Sequence, residues 1–196
     1  MRKEYDIILS AEEEFARAVA LGVLVTGPVS VWQTLIPFMF IVGYLRRGSV
    51  DRLYVKNFMF PRKMAIDAAL DINSGEDREK RLLRVEEAIK EWLNTLKLYS
   101  HGLHRNQMEV IALLIEHYSR LLNSDGDTYN SLVKSAYNNR ENYKAFLSRL
   151  SLAEKEVDRA IIEKAGESKN LCEKLLAEQL QVEKRRNMDV EETFSD

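Results

Sequence analysis

The sequence predicts an all-α protein: an N-terminal membrane-inserted helix or helical hairpin, followed by an antiparallel helical bundle. Three observations predict it. Residues 18–45 contain no Asp, Glu, Lys or Arg. All three prolines, Pro28, Pro37 and Pro61, fall in the first third, so nothing beyond Pro61 interrupts long helices. From there on, apolar residues recur at i, i+3 and i+4 between the widely spaced Gly75, Gly102, Gly126 and Gly166.

The composition narrows the class. A chain of 196 residues with 45% hydrophobic and 31% charged residues suits one compact domain or one domain plus an appendage. A single cysteine, Cys172, excludes an intrachain disulfide and a Cys-based zinc cluster. The net charge of −2 gives no whole-protein basis for nucleic-acid binding, which needs a basic surface. The chain divides into a short polar N-terminus (1–17), the apolar segment (18–45), a basic juxtamembrane segment (46–65), a bundle (66–186) and an acidic tail (187–196). The tail has little to bury and is expected to be disordered.

In the first part, Ser10 and Glu13 match a capping box and predict a helix start near Ala11. The acidic residues Glu4, Asp6, Glu12, Glu13 and Glu14 argue against a secretory signal peptide, whose leading region is basic. The apolar segment is long enough for a bilayer core of about 30 Å, which needs roughly 20 residues. Gly27 and Pro28 leave three arrangements open: one kinked spanning helix, a span from Val29 to Leu45 alone, or a re-entrant hairpin that never crosses. A fourth reading buries the segment as the central hairpin of a soluble bundle. Trp32 and Tyr44 are interface-type residues. Gly22, Gly43, Gln33 and Thr34 suit contact with another membrane helix, because small residues permit close approach and polar ones bond across.

Between residues 46 and 65, Arg46, Arg47, Arg52, Lys56, Arg62 and Lys63 face one acid, Asp51, and alternate with Leu53, Tyr54, Phe58 and Phe60. That composition fits either a surface element on anionic headgroups or a junction packing its apolar residues into the bundle. Basic flanks stay cytoplasmic, so a spanning helix would leave the N-terminus outside and the bundle in the cytoplasm; a re-entrant hairpin would keep both on the cytoplasmic side.

The bundle follows in order. One helical face joins Leu82, Val85, Ile89, Trp92, Leu93, Leu96 and Tyr99. A helix from about Asn106 to Leu122 carries Met108, Ile111, Ile115, Tyr118 and Leu122, with Val110, Leu114 and Leu121 beside them, and its wide apolar arc marks it as central. A third runs from about Thr128 to Leu150, with a kink expected near Asn138 and Asn139. Ser151 with Glu154 predicts a fourth start by capping box. Ser168 predicts a fifth, with Leu171, Cys172, Leu175, Leu176 and Leu180 as a narrow stripe. A fragment beginning near Ala65 is expected to fold by itself.

Little in the sequence promises chemistry. His101, His104 and His117 with Glu109 and Glu116 are the nearest approach to a metal set, but their spacing lacks the Glu-x-x-His pattern of di-iron bundles. Asn123 to Thr128 resembles part of a calcium loop without its terminal glutamate, and reads as a turn plus N-cap. No phosphate loop, nucleophile elbow or zinc-protease motif is present, so no catalytic, cofactor or metal residue is assigned. The expectation is a non-enzymatic, membrane-anchored scaffold, adaptor or accessory subunit. Its partners would be an anionic bilayer leaflet and another protein or a second copy, with no nucleic acid. A conditionally inserting membrane-active protein is the alternative, and a soluble helical metal protein or enzyme a third.

Overall fold

A computed structural model describes residues 2–26 and 47–195. Seven helices and no strand are present among the described residues: α1 (Arg2–Thr26), α2 (Arg47–Asn73), α3 (Arg78–Thr95), α4 (His101–Leu122), α5 (Tyr129–Tyr137), α6 (Arg140–Ala165) and α7 (Lys169–Phe194). The five long helices α1, α2, α4, α6 and α7 close a ring in which each packs on the next, while α3 lies on α2 and α4.

Side-chain oxygens cap five of the helix starts: Asp77, Ser100, Thr128, Asn139 and Ser168 each accept from a backbone N–H three residues on. Each cap satisfies a donor that the helix itself cannot. The kink expected near Asn138 is a full break: Asn138 adopts φ 63°, a left-handed conformation that Asn tolerates, and ends α5 before Asn139 caps α6. Gly75, at φ 100°, turns the chain out of α2 for the same steric reason.

Of the predicted starts, those at Thr128 and Ser168 hold, α4 begins at His101 rather than near Asn106, and neither capping-box start exists. Ser10 lies inside α1 and Ser151 inside α6. Pro61 also sits inside a helix, α2, although it cannot donate a backbone hydrogen bond. Burial on both sides of it, by Met59, Arg62, Ala65, Ile66, Ala68 and Ala69, outweighs the lost bond. The tail expected to be disordered continues α7 to Phe194, because Val190 and Thr193 are buried and Phe194 packs on the core. On α7 the inward face is partly polar, with Lys174, Arg186 and Thr193 buried, whereas Leu176 and Leu180 of the predicted stripe are 55% and 56% exposed.

α4 occupies the centre as its wide apolar arc predicts: Ile111, Leu114, Ile115, Tyr118, Leu121 and Leu122 are all buried. The polar N-terminus is not an appendage, since Ile8, Glu12, Ala16 and Val19 of α1 are buried in the same bundle. α1 and α2 run antiparallel, as three rungs show: the Tyr5 hydroxyl donates to Asp67 at 2.8 Å, Arg62 donates to Glu12 at 2.9 Å, and the rings of Phe15 and Phe58 stack 6.1 Å apart. The C-terminus of α1 and the N-terminus of α2 therefore share one end of the bundle. An arrangement with residues 1–17 across a bilayer from the bundle is incompatible with these contacts.

The packing of α1 argues against the expected autonomy of a fragment from Ala65, because truncation there uncovers α4 and α7. Such a fragment should lose near-ultraviolet circular dichroism and elute as an aggregate, while the full chain keeps a fixed tertiary signal. A monomeric Ala65 fragment with cooperative urea unfolding would contradict the packing of α1.

Candidate functional site

Two features command the interior: a buried chain of charges across the ring and a group of acids at the end where α1 and α2 meet. The charge chain begins at Glu12 of α1, which accepts from Tyr118 of α4 at 2.8 Å and from Arg62 of α2 at 2.9 Å. Arg62 then reaches Glu154 of α6 at 3.2 Å, and Arg186 of α7 grips the same carboxylate through both terminal nitrogens, at 2.7 and 2.8 Å. Arg186 also donates to Ser151 at 2.9 Å. The Ser151–Glu154 pair that resembled a capping box is thus an arginine receptor, its two oxygens on one helix face by their i, i+3 spacing.

Burial opposes the charge on Arg62, yet Glu12 and Glu154 outweigh it and hold the guanidinium above its ordinary pKa. Its plane also lies over the Phe58 ring, 4.5 Å from the centroid. Burial likewise opposes ionisation of Glu154, but Arg186 and Arg62 draw its pKa below the usual carboxylate value. Tyr118 is pushed well up, first by burial and then by Glu12, so it remains a proton donor.

His117 sits nearby, its Nδ1 2.8 Å from the Tyr137 hydroxyl and its Nε2 3.2 Å from that of Tyr129. Burial, reinforced by Arg62, Arg186 and Arg120, lowers its pKa to about 3. A neutral imidazole donates through one nitrogen and accepts at the other, which suits two hydroxyl partners. His101 instead meets the Tyr99 hydroxyl at 3.4 Å, and His104 Nε2 donates to the Glu86 carbonyl at 3.2 Å. The three histidines are not brought together, and no group of three His, Cys, Asp or Glu among the described residues could hold a metal ion.

At the shared end of α1 and α2, Val19, Val23 and Val182 form a small apolar cluster against Phe15, Tyr54 and Phe58. Beside it lie Asp158 and Glu178. Burial raises Glu178 to about 7, with Asp158 adding repulsion. Asp158, which accepts from Gln179 at 2.6 Å, is raised to about 6, again chiefly by burial. Tyr54 is pushed well above its ordinary value by burial and by Glu178.

The membrane-directed expectations meet this geometry unevenly. Trp32, Gln33, Thr34, Gly43, Tyr44 and Arg46 lie outside the described residues, and Arg47 opens α2. Arg52 and Lys56 are exposed on α2. Arg62 does not face headgroups, because its charge is neutralised inside the bundle, and Lys63 is committed to Asp67 at 2.7 Å. Phe60 packs inward, its ring 5.2 Å from that of Trp92. Gly22 does serve a close helix approach, but to α7 of the same chain, where a Cβ would collide with the Gln181 side chain. The charge chain and the tyrosine pair around His117 escaped the sequence reading, since their members lie on different helices. No helix among the described residues is long and apolar enough to cross a membrane. No family model, curated protein or solved structure matches the chain.

Two predictions follow from these charges. Replacing Arg62 by Met leaves Glu12 and part of Glu154 buried without a cation, and should cost about 3–5 kcal/mol in urea unfolding. An effect below 1 kcal/mol would mean the carboxylates are solvated. For Asp158 and Glu178, folded pKa values above the unfolded range of about 4 add stability that is full below that range. It is lost as pH rises through 6 to 7. The pair Asp158→Asn with Glu178→Gln should therefore raise the unfolding midpoint at pH 8 and leave it nearly unchanged at pH 5; an equal shift at both values would refute the assignment.

Proposed function

We propose that the protein is a non-enzymatic helical scaffold, held at a membrane by its apolar segment entering and leaving the same leaflet. One observation carries this reading: the antiparallel rungs of α1 and α2 put both ends of residues 27–46 at one end of the bundle. A single crossing needs its ends on opposite faces. Two helical crossings need roughly 40 residues, and the stretch 27–46 is too short for them. This length and these ends favour a segment that enters and leaves by one leaflet over one that crosses.

Further support comes from the surface at that end. Leu21, Leu176 and Leu180 are each more than half exposed, and Gly22 beside Gln181 brings α1 and α7 together there. Arg52 and Lys56 stand on the neighbouring helix, where cations near an anionic surface contribute on the order of 1 kcal/mol each. Because both flanks lie on one side, Arg46, Arg47, Arg52 and Lys56 argue for the cytoplasmic side. The bundle's outer face would then carry another membrane subunit, a soluble partner or a second copy. Insertion triggered by acid is disfavoured, since protonating Asp158 and Glu178 removes repulsion at the hairpin base and tightens the bundle.

Tags at the two termini should show the same protease accessibility in sealed vesicles, and the protein should resist alkaline wash. Replacing residues 27–46 by a Gly/Ser linker should release a folded bundle into the soluble fraction. Termini on opposite faces, or complete release of the unaltered chain by alkali, would overturn the proposal.

A further inference from the structure

Glu12, Arg62 and Arg186 of the charge chain line a cavity of about 270 Å³ between α1, α2, α4, α6, α7 and the start of α5. Ligand cavities commonly span about 300–1,000 Å³, so this one suits a compact molecule. Its composition is unusual for a bundle core. Aromatic rings make the wall: Tyr129, Tyr143 and Phe146, with Phe146 stacked 4.5 Å from His117. Carboxylates make the rim: Glu14 from α1 and Asp189 and Glu192 from α7.

The cations lining the cavity are already engaged. Arg62 and Arg186 are shared between Glu12 and Glu154, and Arg185 lies 3.0 Å from Asp189. Glu14 and Glu192 enter no ion pair among the described residues, and both are exposed at the mouth. The lining therefore has four carboxylates, including Glu12, for three arginines, and the excess negative charge is at the entrance. An acid-rimmed opening above aromatic faces attracts organic cations, whose charge meets the carboxylates while their apolar groups lie on the rings.

We propose that this cavity binds a small organic monocation of the alkylammonium class, with Glu14, Asp189 and Glu192 facing its charge and Tyr129, Tyr143 and Phe146 packing its methyl groups. Arg185 Nε makes no hydrogen bond but lies 3.0 Å from Asp189, so every arginine of the lining stands at ion-pair distance from a carboxylate, which disfavours an anion. His117 adds no competing charge, as it is neutral above pH 4 or so with its pKa near 3. Asp189 deepens the preference, since burial and the neighbouring Glu192 and Glu12 raise it to about 6 against the pull of Arg185 and Arg186. Glu14 of α1, His117 of α4, Tyr129 of α5 and Tyr143 of α6 are further titratable groups lining the same cavity. A bound cation would restore the ionised form of Asp189.

The test is calorimetric titration of the full chain, purified in a non-ionic detergent, with choline and with its uncharged isostere 3,3-dimethylbutan-1-ol. Choline should bind saturably and at least tenfold more tightly than the alcohol, and more weakly at pH 5 than at pH 7.5. The rim variant Glu14→Gln with Glu192→Gln, whose exposed side chains leave the fold intact, should weaken choline at least tenfold while circular dichroism stays unchanged. Asp189→Asn should abolish the difference between the two pH values. Absence of saturable choline binding, equal affinity for the alcohol, or an unaltered affinity in the folded rim variant would each overturn the proposal.

Discussion

The arrangement of this bundle depends on one buried chain of charges, Glu12–Arg62–Glu154–Arg186, with Tyr118 donating to its first member. All five helices of the ring contribute a group to it. Buried ion pairs contribute little net stability against an apolar alternative, but a misplaced register leaves a charge without a partner at a cost of several kcal/mol. Apolar helices can slide or rotate over one another with modest loss; these cannot. The chain therefore selects one packing, and its hold on α1 and α2 places Thr26 and Arg47 at one end of the bundle.

The same chain divides the interior. The main apolar core surrounds α4, from Ile66 and Ile89 to Leu121 and Leu132, while Val19, Val23 and Val182 form a separate cluster toward the end where α1 stops and α2 begins. Between them the planar guanidinium groups and their carboxylates cannot interdigitate as aliphatic side chains do, and the cavity bordering them follows from that shape. Polar interior, divided core and cavity have a single origin. The raised acids Asp158 and Glu178 belong to the same arrangement, since they are half-buried near Glu154 without arginines of their own.

This frame also disposes of the membrane-spanning arrangements that the apolar stretch suggested. A hydrophobic run reports what must leave water, and says nothing about where its ends lie. The ends are placed by Tyr5 with Asp67, Arg62 with Glu12 and Phe15 with Phe58, none of which belongs to the run.

The sequence by itself determined the helical class, the central position of α4 and the starts at Thr128 and Ser168, because i, i+3, i+4 periodicity and cap chemistry are local properties of the chain. Asp77, Ser100, Thr128, Asn139 and Ser168 act within three residues, so the N-caps are matters of nearest neighbours. Only the tertiary structure decided that Ser151 and Glu154 receive Arg186, that Arg62 is interior, that Pro61 is spanned by a helix and that α7 continues through the acidic tail. In each case the deciding partner lies far away in sequence, 32 to 92 residues for the arginine contacts to Glu154 and Glu12. A charged residue in a sequence looks like surface until the opposite charge is placed beside it, and only the packing of the helices places it.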